Sequence, residues 1–426
     1  MRGIVTRTGG AAALVAVLLV AWIVLFSAGD LASDLATEAL EPSPTTSPTT
    51  STAAIPTRLA ARTFASPADA EPQAVGPATT AAPGHPGSGL DVAWAAAPKD
   101  DSTATPIVTA TTAAPAPGPA PVRISKPACA TGLGAPSTRT APFTGLSASI
   151  PSNMPAVVVK VSNNNSSSRS VLIGLDQADI VFEERIEVSA TRFFSVFHSS
   201  LPANVGPVRS GRTIDIQITQ NLNRPVFAYS GSNQGVARQL KFAADNGLLV
   251  PYVNTDRAPF ARDSRYSSPD NLFVDPASLG ACGGGGNPTA VFSYGSASST
   301  TAQAASSVSL QARSPYRFDW NGSRWVRSQS GSRHVTRTGA ELAPTNVVVM
   351  FLPYVQSQID SSSVDAQTIG SGSAWIFRDG TVTLGSWTRN KGHEPYSLTD
   401  GNGSAVRLAA GQTWVVLAPV GSASWS

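Results

Sequence analysis

The sequence predicts an α+β protein: an N-terminal α/β lobe followed by a β-rich C-terminal lobe, preceded by a disordered stalk and a single apolar anchor helix. Three observations carry this. An uncharged apolar run near the N-terminus leads into a long segment of Ala, Pro, Ser and Thr. Between roughly residues 156 and 250, β-branched and aromatic runs alternate with helical spacings. Beyond roughly residue 300, strands follow one another around Asn-Gly and Asp-Gly turns with no helical run between them. The implied boundaries are residues 1–30 for a signal anchor or signal peptide, 31–122 for the linker, 123–300 for the α/β region and 301–426 for the β-rich region.

In the first segment Arg2 and Arg7 precede an uncharged stretch that lasts until Asp30. Its length suffices to cross ~30 Å of hydrocarbon, and the arginines predict a cytoplasmic N-terminus with the remainder outside. Ser27 to Gly29 also offers a signal-peptide cleavage site. The expected location is therefore the extracytoplasmic face of the cell membrane, through a single-pass anchor, or the exterior after cleavage. No cysteine follows the apolar run, which excludes a lipid anchor at that point.

The linker ("EPSPTTSPTTSTAAIPT", "ATTAAPAPGPAP") has too few large apolar residues to offset its ordering entropy. As a coil it would reach ~50–60 Å, enough to lift a folded head off the membrane. Cys129 and Cys282, an even pair in an exported chain, suit a disulfide closing a very long loop, worth roughly 4–5 kcal/mol by chain entropy. Two unpaired thiols are the alternative.

Within the α/β region "AVVVKVS" (156–162) reads as a strand and "NNNSSSRS" as a polar loop. "ADIVFEE" (178–184) and "TRFFSVF" (191–197) are two further strands in tight connection. Ile214, Ile218 and Leu222 recur at helical spacing. "RPVFAYSG" is the next strand, and "NQGVARQLKFAADNGLL" a helix ending at Gly247. "ACGGGGNPTA" (281–290) is a loop. The β-rich region opens with the hairpin "YRFDW-NG-SRWVR" and continues with "TNVVVMFL", "SAWIFRDGTVTLGSWTR" and "AVRLAAGQTWVVLAP". Six of the eight tryptophans fall between Trp320 and Trp425, which favours core packing over a sugar-stacking platform.

Only 13% of the residues are charged, and net charge is +3. The arginines form no basic run, so nucleic acid is not an expected partner. No zinc or redox spacing exists, and no metal or cofactor is expected. His198, His334 and His393 belong to no nucleophile signature, and His198 is expected to cap a strand end.

Charge concentrates in one stretch, "EERIEVSATRFFSVFHSSLPANVGPVRSGR" (183–212). With Ser189-Ala190 as the loop, Glu187 would stand opposite Arg192 in a cross-strand ion pair on a solvated face. Glu183 and Glu187 would lie roughly 13 Å apart on one strand face, too far for a glycosidase pair at ~5–9.5 Å. A dyad would need a second acid such as Asp215 or Asp263. In "GPVRSGR", Arg209 and Arg212 at i, i+3 would share a helix face, with Ser210 between them. Guanidinium forks at a helix start suit carboxylate or phosphate. Internal pairing with Glu183, Glu187 or Asp215 is the competing reading.

"VVVKVSNN…GLDQADIVFEERIEVSATRFFSVFHSSLPANVGPVRSGR", "FAYSGSN" and "SPDNLFVD" resemble the N-terminal signature of the YerB-like DUF3048 family of bacterial envelope proteins. "TNVVVMF", "GSGSAWIFRDGTVTLGSW" and "LAAGQTWVVLAP" are similar to its C-terminal part, so the resemblance spans about residues 140–420. Many members resemble lipoproteins of Gram-positive bacteria, and the resemblance brings no established catalytic activity. It implies a shared polar set at Asn163, Asp179, Glu183, Glu187, Thr191, Arg192, Arg209, Ser210 and Asn271. Members often carry histidine where Asp270 stands here, which favours binding over catalysis.

The expectation is a membrane-tethered extracytoplasmic module that binds a cell-wall polymer, through an anionic group, or an envelope protein. Its ligand-binding residues would be Arg209, Arg212, Ser210, Glu183, Glu187, Arg192, Asn163 and Asn271, with no catalytic set. The alternative is a hydrolase of wall glycan or peptide using Glu183 with a second acid.

Overall fold

Valines alone fill three consecutive positions of the strand Val157–Asn163, and all seven of its residues are buried. A strand buried on both faces must lie inside a sheet that is itself covered twice. That sheet has eleven strands. Across it run Gln303–Ala304, Thr381–Arg389, Gly370–Arg378, Asn346–Phe351, Thr413–Ala418, Ile180–Arg185, Thr191–Phe197, Val157–Asn163, Val226–Tyr229 and Val250–Val253, with Ser397–Asp400 paired off this path to Thr381–Arg389. The computed structural model describes residues 132–254, 258–296 and 299–426. The predicted anchor, the stalk and Cys129 lie outside the described residues.

The join between the two halves of the sequence is a parallel pairing of Thr413–Ala418 with Ile180–Arg185, in the register Thr413 to Ile180 and Val416 to Glu183. Strands from before residue 254 and after residue 302 thus share one sheet. The protein is β-rich with few helices, and among the described residues the α-helices are Ser166–Ser170, Ile214–Thr219, Gln234–Asp245 and Pro276–Cys282.

One face of the sheet, bearing Val159, Val161, Val181, Phe193, Trp414 and Val416, packs against a second sheet of five strands. Those strands are Ser332–Arg333, Trp325–Gln329, Tyr316–Trp320, Ser307–Leu310 and Ala423–Trp425 in spatial order. The other face, bearing Val158, Phe182, Phe194, Phe227 and Val415, is covered by Ile214, Ile218, Val236, Leu240 and Ala243 of two helices. Period-two alternation sends each strand's odd and even residues to these two cores.

The turns follow their residues. Asn321-Gly322 closes the Tyr316–Trp320 and Trp325–Gln329 hairpin. At Asp379-Gly380 both residues take positive φ, 50° and 70°, as a two-residue hairpin turn requires. Asn233 caps Gln234–Asp245 by accepting from the Val236 N–H at 2.9 Å.

Two local expectations change. "NNNSSSRS" is not a plain loop: Asn165 and Ser168 form a reciprocal capping box that starts the helix Ser166–Ser170. Serines are weak helix formers, so the cap, not the propensity, makes this turn. The strand carrying Glu183 ends at Arg185, and Glu187–Ser189 forms a 3₁₀ turn. Ile186, only 3% exposed, closes that turn by donating its N–H to the Ala190 carbonyl at 2.8 Å. Keeping Ile186 inside widens the connection, so Arg192 stands opposite Glu184, and Glu187 faces another partner.

Candidate functional site

The charged stretch does not lie on a solvated face. Alternation drives its acids to opposite sides of the central sheet, where each meets its own partners.

On the face covered by the five-stranded sheet, Glu183 is sealed from solvent. Its Oε1 accepts from Arg327 Nη2 at 2.8 Å, from Thr191 Oγ1 at 2.8 Å and from Asn163 Nδ2 at 3.4 Å. Its Oε2 accepts from Trp414 Nε1 at 2.9 Å. The Arg327 guanidinium sits in an aromatic box, 4.5 Å from the Tyr316 ring centre, 5.3 Å from Trp414, 5.5 Å from Phe193 and 5.8 Å from Phe318. Cation–π attraction and a charge-assisted hydrogen bond together compensate the burial of this pair. Beyond it, Arg327 Nη1 donates to His334 Nδ1 and, at 2.8 Å, to Gln329 Oε1.

On the helix-covered face, Lys160 lies fully buried between Glu184 and Asp215, the latter at 2.6 Å. Asp215 also accepts the Arg212 backbone N–H at 2.7 Å. Burial pushes the Glu184 carboxyl up to about 7, opposed by Lys160 and reinforced by Asp215. Burial, then the neighbouring Arg212, draws Arg192 down to about 10.

The "GPVRSGR" segment runs as a strap beside the strand Val157–Asn163, with Val208 bridged antiparallel to Val161, and is not the first turn of a helix. Ser162 N–H donates to the Pro207 carbonyl at 2.9 Å, and Arg209 N–H to the Lys160 carbonyl at 2.8 Å. Gly206 lies so close to Phe273 that a Cβ there would come within 2.6 Å of its ring. Because the helix begins only at Ile214, Arg209 and Arg212 share no helix face. Arg212 pairs with Glu187 and donates to the Gly211 carbonyl at 3.1 Å. Arg192 Nη1 donates to the Ser210 carbonyl at 3.1 Å. Arg209 reaches Ser162 Oγ through Nε at 3.3 Å, and its Nη2 lies 3.2 Å from Asp270 Oδ1.

Of the expected binding residues, then, Arg192, Arg209, Ser210, Arg212 and Glu187 gather at one corner. Asn271 belongs to its margin, beside Asp270, with Oδ1 accepting from Arg262 Nη1 at 2.9 Å. Glu183 and Asn163 are separated from this corner by the sheet. The two acids considered as partners of Glu183 are engaged elsewhere. Asp215 is on the opposite face with Lys160, and Asp263 is held below the usual carboxylate range by hydrogen bonds from Arg265. Among the described residues no group of His, Cys, Asp and Glu gathers in a way that could hold a metal ion, and no cysteine is free. The expected partner of Cys282, Cys129, lies outside the described residues.

Sequence reading missed Lys160, Glu184, Arg327 and His334 as members of these networks. A lone lysine inside "AVVVKVS" was a usable signal, since a buried ammonium demands a carboxylate.

A profile described as the N-terminal domain of a protein of unknown function, DUF3048, matches residues 143–286, and the C-terminal domain of that family matches residues 305–415. The chain belongs to the DUF3048 family. A relative from Bacillus subtilis (strain 168), named "Putative lipoprotein YerB", is 26% identical over 291 residues, 66% of this chain and 86% of that protein. The crystal structure of YerB protein from Bacillus subtilis is similar with a TM-score of 0.57 at 22% identity, covering 68% of this chain and 99% of that chain. At this identity the likeness is one of fold. In this DUF3048 chain the Glu183 network joins the two matched regions, because Glu183, Thr191 and Asn163 come from the first, and Arg327 and Trp414 from the second.

Proposed function

We propose that this chain is an extracytoplasmic, membrane-tethered binding protein of the bacterial cell envelope that recognises an anionic wall component through Arg209. The tether would be the apolar run before Asp30, and a Cys129–Cys282 bridge would fasten the start of the folded region. The lipoprotein name of YerB supports an envelope location. One observation carries the binding role. The Arg209 fork, 16% exposed, meets the Asp270 carboxylate only at ion-pair distance, and Asp270 Oδ1 has no hydrogen-bond partner. A ligand carboxylate or phosphate could take both fork positions in better geometry. Arg192 and Arg212 are committed inward and would raise the local positive potential without touching ligand. The hydrolase alternative has less support: Glu183 is sealed, with both oxygens occupied by donors.

The test is co-sedimentation of the full-length protein with purified Gram-positive cell wall at low and high salt, beside Arg209→Ala. Salt-sensitive retention that falls at least about tenfold in a folded Arg209→Ala variant is the expected result. Retention unchanged by the substitution would return Arg209 to a structural role. No retention at all would redirect the search to a protein partner.

A further inference from the structure

On the opposite side of the sheet the Glu183–Arg327–His334 chain ends in an opening. A cleft of about 320 Å³ lies between the helix Ser166–Ser170 and the turn that follows Trp325–Gln329. Arg169, Ser166, Ser332, Arg333 and His334 line it. We propose that this cleft is a second anion site, one that binds a phosphoryl group with Arg169 and His334 as its contacts. It is independent of the Arg209 corner.

The hydrogen bonds around His334 fix the character of the cleft. Arginine has only donors, so His334 Nδ1 must accept from Arg327 Nη1, and the ring proton must sit on Nε2. The backbone at His334 is pinned by its own N–H to the Arg327 carbonyl at 2.9 Å and by Leu342 N–H to its carbonyl at 3.0 Å. The ring is therefore held in place, 4% exposed, and its Nε2 has no partner in the protein. A buried donor left unmade costs free energy unless something outside the chain accepts from it. Burial, with the neighbouring Arg327 and Arg169, keeps this imidazole well below its ordinary pKa, so it offers one N–H and no competing charge state.

Arg169 adds the charge. It projects from the short helix that the Asn165 cap starts, and its Nη1 is buried without a partner. Unlike Arg327, which has Glu183, and Arg333, which has Glu341 at the rim, Arg169 has no carboxylate among the described residues. The Gln329 amide oxygen, on the same wall, accepts from Arg327 at 2.8 Å. The cleft thus presents a guanidinium, an imidazole N–H and serine hydroxyls from several directions. A tetrahedral oxyanion has enough acceptors for such a set, whereas a planar carboxylate is better matched by a single fork. The same phosphoryl chemistry could arrive as free phosphate, as a phosphodiester polymer unit or as a lipid headgroup.

Full-length protein labelled with ¹⁵N-histidine provides the test. The chain has four histidines, so the His334 imidazole signals can be assigned by single substitution. Inorganic phosphate, glycerol 3-phosphate and phosphatidylglycerol vesicles are titrated separately, with acetate as the carboxylate control. The expected result is a saturable shift of the His334 Nε2 signal with at least one phosphoryl probe and none with acetate. Arg169→Gln, at a half-buried position of a mostly exposed helix, should weaken that response at least tenfold, while Arg209→Ala leaves it unchanged. The proposal is overturned if no phosphoryl probe moves the signal, if acetate moves it equally, or if Arg169→Gln binds as wild type does. Which phosphoryl probe binds most tightly identifies the source.

Discussion

The two faces of the central sheet bury charge in opposite ways. On the face toward the five-stranded sheet, one carboxylate meets one guanidinium, both oxygens of Glu183 accept hydrogen bonds, and aromatic rings wall the pair. On the helix-covered face one ammonium serves two carboxylates, and Glu184 Oε2 has no hydrogen-bond partner. The first arrangement is balanced and closed. The second carries an excess of acid, which is why burial and Asp215 can push Glu184 up to about 7 while Lys160 pulls it down. Side-chain alternation at Glu183-Glu184 thus produces a fixed ion pair on one side of a strand and a titratable cluster on the other. The closed face joins the family's two matched regions, whereas the acid-rich face borders the arginine corner.

The largest effect should come from breaking the closed pair. Arg327→Met leaves Glu183 charged and buried among aromatics, at a cost of about 3–5 kcal/mol. Adding Glu183→Gln removes the stranded charge and should restore at least half of that loss. Guanidinium-chloride unfolding of the single and double variants measures both. If the double variant is no more stable than Arg327→Met alone, the aromatic box rather than the ion pair holds the two regions together.

The acid-rich face should respond differently, because its damage depends on pH. Lys160→Met leaves two buried carboxylates facing each other, costing roughly 3 kcal/mol at pH 8. Protonation relieves the repulsion, so at pH 5 the cost should fall by at least half. Glu184→Gln gives a finer test. A carboxyl whose folded pKa is raised contributes stability that is present below its unfolded pKa, near 4.5, and lost as pH rises through about 7. Removing it should make the slope of stability against pH more positive across that window, by at most about 1.4 kcal/mol per pH unit. Asp179, raised to about 6 by burial, and His198, lowered to about 4 by burial, pull in opposite directions, but both are common to the two proteins. Urea midpoints between pH 4.5 and 7.5 provide the comparison. Identical slopes would mean that Glu184 stays charged throughout.

Much of the strand layout could be read from the chain because apolar runs and turn residues specify it locally. "TRFFSVF" forms Thr191–Phe197, and the Asn-Gly and Asp-Gly turns fall where the hairpins bend. What could not be read is the parallel contact between Ile180–Arg185 and Thr413–Ala418, since no local pattern announces a partner more than two hundred residues away. That one contact brings Trp414 to Glu183, and the sheet packed over that face brings Arg327, so a sequence reading could only leave the glutamate on a solvated surface. The corner was partly legible. Arg209 and Arg212 do come together with Glu187 and Arg192, but the i, i+3 spacing suggested a helix that begins only at Ile214. Proline and glycine in "GPVRSGR", together with hydrogen bonds to the strand Val157–Asn163, hold it as a strap instead.

The smallest predicted effect lies at the edge of the acid-rich face, and it sharpens the functional reading. Arg209 and Asp270 have side chains 16% and 7% exposed and approach to 3.2 Å without hydrogen-bond geometry. A partly solvated pair of this kind contributes little, so Arg209→Ala should cost about 1 kcal/mol or less. The loss should shrink as salt is raised, because screening weakens the pair in the wild type. Denaturant midpoints at 50 mM and 500 mM salt, roughly a threefold change in Debye length, separate this outcome from a fixed structural contact. A loss near that of Arg327→Met, insensitive to salt, would make Arg209 part of the fold and leave it unavailable to a ligand. A small salt-dependent loss would mean that the fork can leave Asp270 at little cost, the condition that an incoming wall anion must exploit.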